Sequence, residues 1–137
     1  MNPKLPPQDL EAERSVLGAL MLDKNAVIKV ADILNPYDFY NPHHGMILDA
    51  ILELFEKAQP IDVLSVTHVL KEKKTLATIG GSSYLTDLIN NVPSATHVSY
   101  YAQLVRDKRV LRDLVQASSS ITERVFQAEG DTEELLD

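Results

Sequence analysis

Between Ala95 and Ala128 the chain contains neither glycine nor proline, and apolar residues recur at helical spacing through Val98, Ala102, Val105, Leu111, Val115, Ile121 and Val125. Nothing in that stretch is a strong helix breaker. At 1.5 Å per residue the resulting helix would be roughly 50 Å long. A compact domain of this size is only about 35–40 Å across. The helix must therefore project or break. Its far half carries Leu111, Leu114, Val115, Ile121, Val125 and Phe126, more apolar surface than one exposed region normally leaves wet. A partner helix is required.

The chain's end indicates where such a partner starts. Gly130 is a stop, and Asp131-Thr132-Glu133-Glu134 matches a capping box, with acid in the first turn and Leu135-Leu136 opening an apolar pattern. Residues 129–137 are expected to form a hairpin turn and the truncated start of a second arm, so that the chain is a fragment ending within a helical hairpin. Its first arm is the long helix, residues 94–128.

Upstream, the breakers divide the chain into shorter helices. Residues 1–8 hold three of the seven prolines and read as a flexible arm. Residues 9–93 read as a helical globular subdomain. From Asp9, Leu10, Val16, Leu17, Leu20 and Met21 share one face, with Glu11 and Glu13 where the helix dipole favours negative charge. Ala26, Val27, Val30, Ala31 and Leu34 give a second helix, which Asn35-Pro36 would end. Asn41 is a natural N-cap and Pro42 suits the first helical position. Behind them Ile47, Ala50, Ile51, Leu54, Phe55 and Ala58 repeat until Gln59-Pro60. Residues 61–70 are rich in β-formers, yet Val63, Val66, Val69 and Leu70 fit a helix capped by Asp62. Gly80-Gly81 makes a turn, and Ser82 or Ser83 is expected to cap a helix that points Tyr84, Leu85, Leu88 and Ile89 inward. No hairpin pattern of strands occurs. The fold class is all-α, a compact multi-helix globule followed by a long helix.

Composition narrows the chemistry. The absence of cysteine removes disulfides, thiolate zinc sites and cysteine nucleophiles together. Without Trp, and with only 6% aromatics, there is little material for base stacking. A net charge of −7 has the wrong sign for a domain that mainly grips nucleic acid. No apolar run approaches the roughly 18 residues of a membrane span, and the polar, Pro-rich N-terminus has no signal-peptide pattern. An intracellular, cytoplasmic domain is the expectation.

No constellation with catalytic spacing emerges. None of the five glycines lies in G-x-x-x-x-G-K-[ST], G-x-G-x-x-G or G-x-S-x-G. Gly80-Gly81-Ser82-Ser83 could offer a phosphate a helix N-terminus, but the missing lysine and preceding strand favour a turn. Adjacent His43 and His44 point about 100° apart on a helix, and His68 and His97 lack the i, i+4 partner of a helical zinc site. Near-surface structural histidines are the expectation. Asp38-Phe39-Tyr40 reads as a packing turn with Phe39 plugging the core. Arg106, Lys108, Arg109 and Arg112 could form a DNA-binding stripe, but a solvated face with local ion pairs is favoured. Catalytic, cofactor and metal residues are therefore none.

The run Pro6-Pro7-Gln8-Asp9-Leu10-Glu11-Ala12-Glu13-Arg14-Ser15-Val16-Leu17-Gly18 resembles the opening of DnaB-type bacterial replicative DNA helicases. The resemblance continues, in order, through Asp38-Phe39-Tyr40, His43 and His44, and Pro60-Ile61-Asp62. It then runs through Ile79-Gly80-Gly81-Ser82-Ser83-Tyr84-Leu85, Val92-Pro93-Ser94, Tyr100-Tyr101-Ala102 and Val110-Leu111-Arg112. It implies the N-terminal domain of a hexameric, ATP-driven helicase that unwinds duplex DNA at bacterial replication forks, near the nucleoid. ATP, magnesium and DNA would then be handled by a motor domain whose motifs this chain lacks. The family's N-terminal domains pair through helical hairpins into a trimer of dimers, dock the DnaG-type primase, and in places meet a helicase loader. On that basis Leu111, Leu114, Val125 and Phe126 are candidates for oligomerisation, and Val115, Ile121, Tyr84 and Glu11 for partner binding. With the second arm truncated, the chain itself is expected to be a monomer or weak oligomer.

Overall fold

The computed structural model describes residues 5–92 and 94–128, together with Leu136. It contains seven α-helices, and no strand among the described residues. They are α1 (Leu10–Leu22), α2 (Lys24–Ala31), α3 (Pro42–Glu56), α4 (Val63–Glu72), α5 (Leu76–Ile79), α6 (Gly81–Asn90) and α7 (Val98–Gln127), with a 3₁₀ turn at Pro36–Asp38. The expected hairpin turn and second arm at 129–137 lie outside the described residues, apart from exposed Leu136.

α1 is the central element, packed against α2, α3, α6 and α7. Asp9 starts it by accepting from the Ala12 amide at 2.9 Å, which satisfies one of the free N–H groups of the first turn. Val16, Leu17 and Leu20 are then completely enclosed. They meet Ile47, Leu48 and Ile51 of α3, Leu70 of α4, and Leu85 and Leu88 of α6 in one core. Burial of each such side chain favours the fold by about 1.5–3 kcal/mol. Gly18 lets α1 approach α6 closely, because a Cβ there would collide with the Leu88 carbonyl and the Val92 side chain.

Several boundaries differ from the sequence reading. α2 ends at Ala31 rather than near Asn35, and Leu34 is buried from the turn that follows. Phe55 stays partly exposed and Ala58 takes a positive φ of 54° beyond the end of α3. Neither Ser82 nor Ser83 caps α6. The helix begins at Gly81 behind Gly80, whose φ of 109° turns the chain out of the short α5. No side chain caps the helix, and the left-handed Gly80 backbone only makes the change of direction.

α7 has 30 residues, about 45 Å of unbroken helix. Only Val98, Ala102 and Val105 of it are buried. From Asp113 to Ala128 every residue is exposed.

Candidate functional site

Successive residues of an α-helix turn by about 100°, so the two halves of α7 present different faces. Val98, Ala102 and Val105 point into the globule. Leu111, Leu114, Ile121 and Val125 follow a heptad-like 3–7–4 spacing on the opposite side of the same helix. Ser118 completes that row, while Val115 and Phe126 flank it on one side and Val110 on the other. Exposure in this group ranges from 44% at Leu111 to 84% at Phe126. A row this long and this exposed has the spacing and width of a helix-pairing face. Ile121, expected to face a partner protein, lies on the same row as Leu114 and Val125, expected to serve oligomerisation; Val115 lies beside that row.

The basic stretch faces inward instead. Arg106 donates to the Ile33 carbonyl at 3.0 Å. Arg109 donates to the Tyr37 carbonyl at 2.6 Å, lies 3.7 Å from the Asp38 carboxylate, and pairs with Asp113 at 3.1 Å. Arg112 spans two segments, donating to the Pro7 carbonyl at 2.7 Å and the Asp38 carbonyl at 2.9 Å. Its guanidinium also lies over the Tyr40 ring, 5.5 Å from the centroid. The expected local ion pairing is present at Arg109–Asp113, and Arg106 stays exposed, but three cations of the supposed DNA stripe are also engaged with backbone carbonyls.

A second polar group lies in the core. His44 is fully buried, which corrects the near-surface expectation. Its Nδ1 lies 2.7 Å from Glu13 Oε1, and its Nε2 lies 2.6 Å from the Tyr84 hydroxyl. A carboxylate only accepts, so Nδ1 carries the hydrogen, and in the neutral ring Nε2 accepts from Tyr84. Glu13 is buried too, not a surface charge on the helix dipole. It accepts from the Tyr40 amide at 2.7 Å and the Asn41 amide at 3.3 Å. The Tyr84 ring stacks on His44 at 6.0 Å, and Phe39 meets it edge-on at 6.1 Å. Burial pushes the Tyr84 hydroxyl above its ordinary pKa. The trio links α1, α3 and α6 through two short hydrogen bonds, with His44 and Glu13 buried and Tyr84 half-buried. Sequence spacing offered no signal for it, since Glu13, His44 and Tyr84 are far apart in the chain.

Of the two candidates on the globule, Tyr84 is half-buried with its hydroxyl engaged, and Glu11 is exposed on the first turn of α1. Neither lies near the α7 row in sequence. An open groove between α3 and α4 is lined by Glu53, Lys57, Asp62, His68 and Glu72. His68 pairs there with Glu72 at 3.1 Å. No cluster of three metal-ligating side chains occurs among the described residues, and no helix among them is long and apolar enough to cross a membrane.

Among the described residues the architecture is that of an all-helical globule from which one long amphipathic helix projects, exposed from Asp113 onward. A family model described as the DnaB-like helicase N terminal domain matches residues 5–107. The replicative DNA helicase DnaC of Bacillus subtilis (strain 168) is 40% identical over 136 residues, covering 99% of this chain and 30% of that protein. The replicative DNA helicase DnaB of Geobacillus stearothermophilus is 41% identical over 98% of this chain and 30% of its own length. The chain thus spans under a third of the curated relatives it matches. Among solved structures, the N-terminal domain of DnaB helicase from Mycobacterium tuberculosis superposes with a TM-score of 0.91 at 43% identity, covering 97% of this chain and 94% of that one. The N-terminal domain of DnaB helicase from Helicobacter pylori, described with its interactions with primase, has the same fold with a TM-score of 0.73 at 24% identity; it covers 84% of this chain and 89% of that one. This chain belongs to the family of DnaB-like helicase N-terminal domains.

Proposed function

We propose that this chain is the non-catalytic oligomerisation and primase-docking domain of a hexameric, ATP-dependent replicative DNA helicase. The observation that carries the reading is the row Leu111, Leu114, Ile121 and Val125, exposed along a helix that has left the globule. Such a row suits a second helix, as in the paired hairpins of a trimer of dimers. A two-helix seam is narrower than the full apolar arc, so Val115 and Phe126 at its flank remain for another surface. The interactions with primase of the Helicobacter pylori domain support a DnaG-type primase as that partner. ATP and magnesium belong, in this reading, to a motor domain outside these residues, which also handles the DNA. The parent acts in the bacterial cytoplasm, where a helicase loader is a further partner. An independent DNA-binding role for Arg106 to Arg112 is disfavoured by their bonds to carbonyls.

The test uses the full-length parent carrying Val115→Asp or Ile121→Asp, with hexamer formation and primase binding measured separately. Ile121→Asp should weaken hexamers first. Val115→Asp should weaken primase binding at least tenfold with hexamers intact. Normal assembly and normal primase binding in both variants would refute the proposal.

A further inference from the structure

The apolar contacts of α7 end early. Val98, Ala102 and Val105 are its buried residues, all near the start of a 30-residue helix. These residues, with Tyr101 and Leu104 packed beside them, seat the first turns of the helix on the core, while the half beyond Arg112 is exposed. Hydrogen bonds have angular demands. In α7 they come from three arginines spaced three apart, on the side of the helix that faces the globule.

We propose that Arg106, Arg109 and Arg112 are positioning residues that set the angle at which α7 leaves the globule. They grip the carbonyls of Ile33, Tyr37 and Asp38, in the segment between α2 and α3, and Arg112 adds Pro7 from the N-terminal segment. The anchor they grip is itself immobilised from the other side. Glu13 holds the amides of Tyr40 and Asn41, and the Asp38 carboxylate accepts from the Asn35 amide at 2.8 Å. Gly45 brings α3 directly against the Pro36 carbonyl, where a Cβ would not fit. The polar track thus runs from Tyr84 through His44 and Glu13 into this segment, and across it to the guanidinium groups.

Guanidinium is the group this job requires. Arg112 bridges two carbonyls on separate segments with Nη1 and Nη2, which a single ammonium cannot match in the same fixed fork. A carbonyl acceptor, moreover, belongs to the backbone and cannot rotate away like a carboxylate side chain. The three grips lie about one turn apart along α7, so together they resist both swing and roll of the helix. The functional weight of this device rests on the assembly role proposed above, since the arm it aims carries the pairing row.

The chain has no cysteine, so Glu56→Cys with Ser119→Cys allows a spin-label pair between the globule and the far half of α7. Pulsed electron resonance, with excess unlabelled chain to suppress intermolecular distances, reads the angle directly. One narrow distance is expected with the arginines intact. Arg109→Ala with Arg112→Ala should at least double the width while helical ellipticity is retained, and Arg112→Lys, which keeps the charge, should not restore a narrow distribution. Unchanged width in the folded double variant overturns the proposal. If that variant fails to fold, Arg112→Lys and Arg106→Ala decide alone: broadening supports the proposal, and an unchanged width in both sinks it. The measurement reads a single arm and says nothing about pairing. Failure here leaves the assembly reading standing, whereas normal assembly and primase binding in the seam variants would sink that reading without touching this one.

Discussion

The Glu13 carboxylate and the His44 ring meet at 2.7 Å in the interior, with both side chains almost wholly removed from solvent. Glu13 thereby accepts from one ring nitrogen and two loop amides at once. Glu13→Ala should leave all three donors unpaired and lower stability by about 3 kcal/mol or more, by the cost of buried unsatisfied groups. Glu13→Gln keeps an acceptor but loses the charge, and should cost about 1.5–3 kcal/mol. Urea unfolding followed by circular dichroism checks both values. An unchanged midpoint for Glu13→Ala contradicts the structural role.

Gly18→Ala offers a test in which the sign decides. In an ordinary exposed helix interior the change gains about 1 kcal/mol. Here the new methyl group would run into the Leu88 carbonyl, part of a helix backbone that moves only with its helix. The expected result is destabilisation of about 1–3 kcal/mol, from overpacking. A higher thermal midpoint for Gly18→Ala would show that α1 and α6 are not in close contact.

Tyr84 predicts a pH dependence. Its pKa is raised above the ordinary 10.0, with burial as the largest cause; Glu13 and Asp87 push the same way and Arg14 opposes them. Above pH 10 the unfolded chain ionises this tyrosine before the folded chain does. The folded state then binds more protons, so stability falls as pH rises through that window. Tyr84→Phe should remove this part of the alkaline slope, measured as the difference between the two proteins. It should also cost about 1 kcal/mol at neutral pH, for the lost bond to His44.

Leu114→Asp and Ile121→Asp should change the unfolding free energy of the dilute, monomeric chain by no more than about 0.5 kcal/mol, because both side chains are more than half exposed. Sedimentation at rising concentration should show self-association weakened or abolished. A large loss of monomer stability would mean that the far half of α7 folds back onto the globule.

Sequence patterning reached those features that depend on local spacing. Asp9, Asn41 and Asp62 sit at helix starts and accept from amides two or three residues on, a relation visible in the string itself. The long helix was legible for the same reason: nothing stops it. The four-residue α5 was not, because one turn has no period to detect. Nor was the arginine root. A guanidinium that binds a carboxylate leaves a pairing of residue types to find, but one that binds a backbone carbonyl leaves none, since every residue carries that acceptor. For Glu13, the rule that acid suits a helix start predicts charge there without saying whether the side chain faces water, and the side chain is buried.

The division of α7 at Asp113 has a consequence for inheritance. Changes at Val98, Ala102 or Val105 act on the folding equilibrium, and so on how much of the protein a cell maintains. Changes at Leu114 or Val125, remote from these and sharing no partner with them, should combine with them additively. Lesions in one helix would then fall into two phenotypes, one cured by lower temperature or more chaperone and the other by neither. Second-site suppressors of the latter would map to whichever helix packs on this row, in the same gene where a second copy of the chain supplies it.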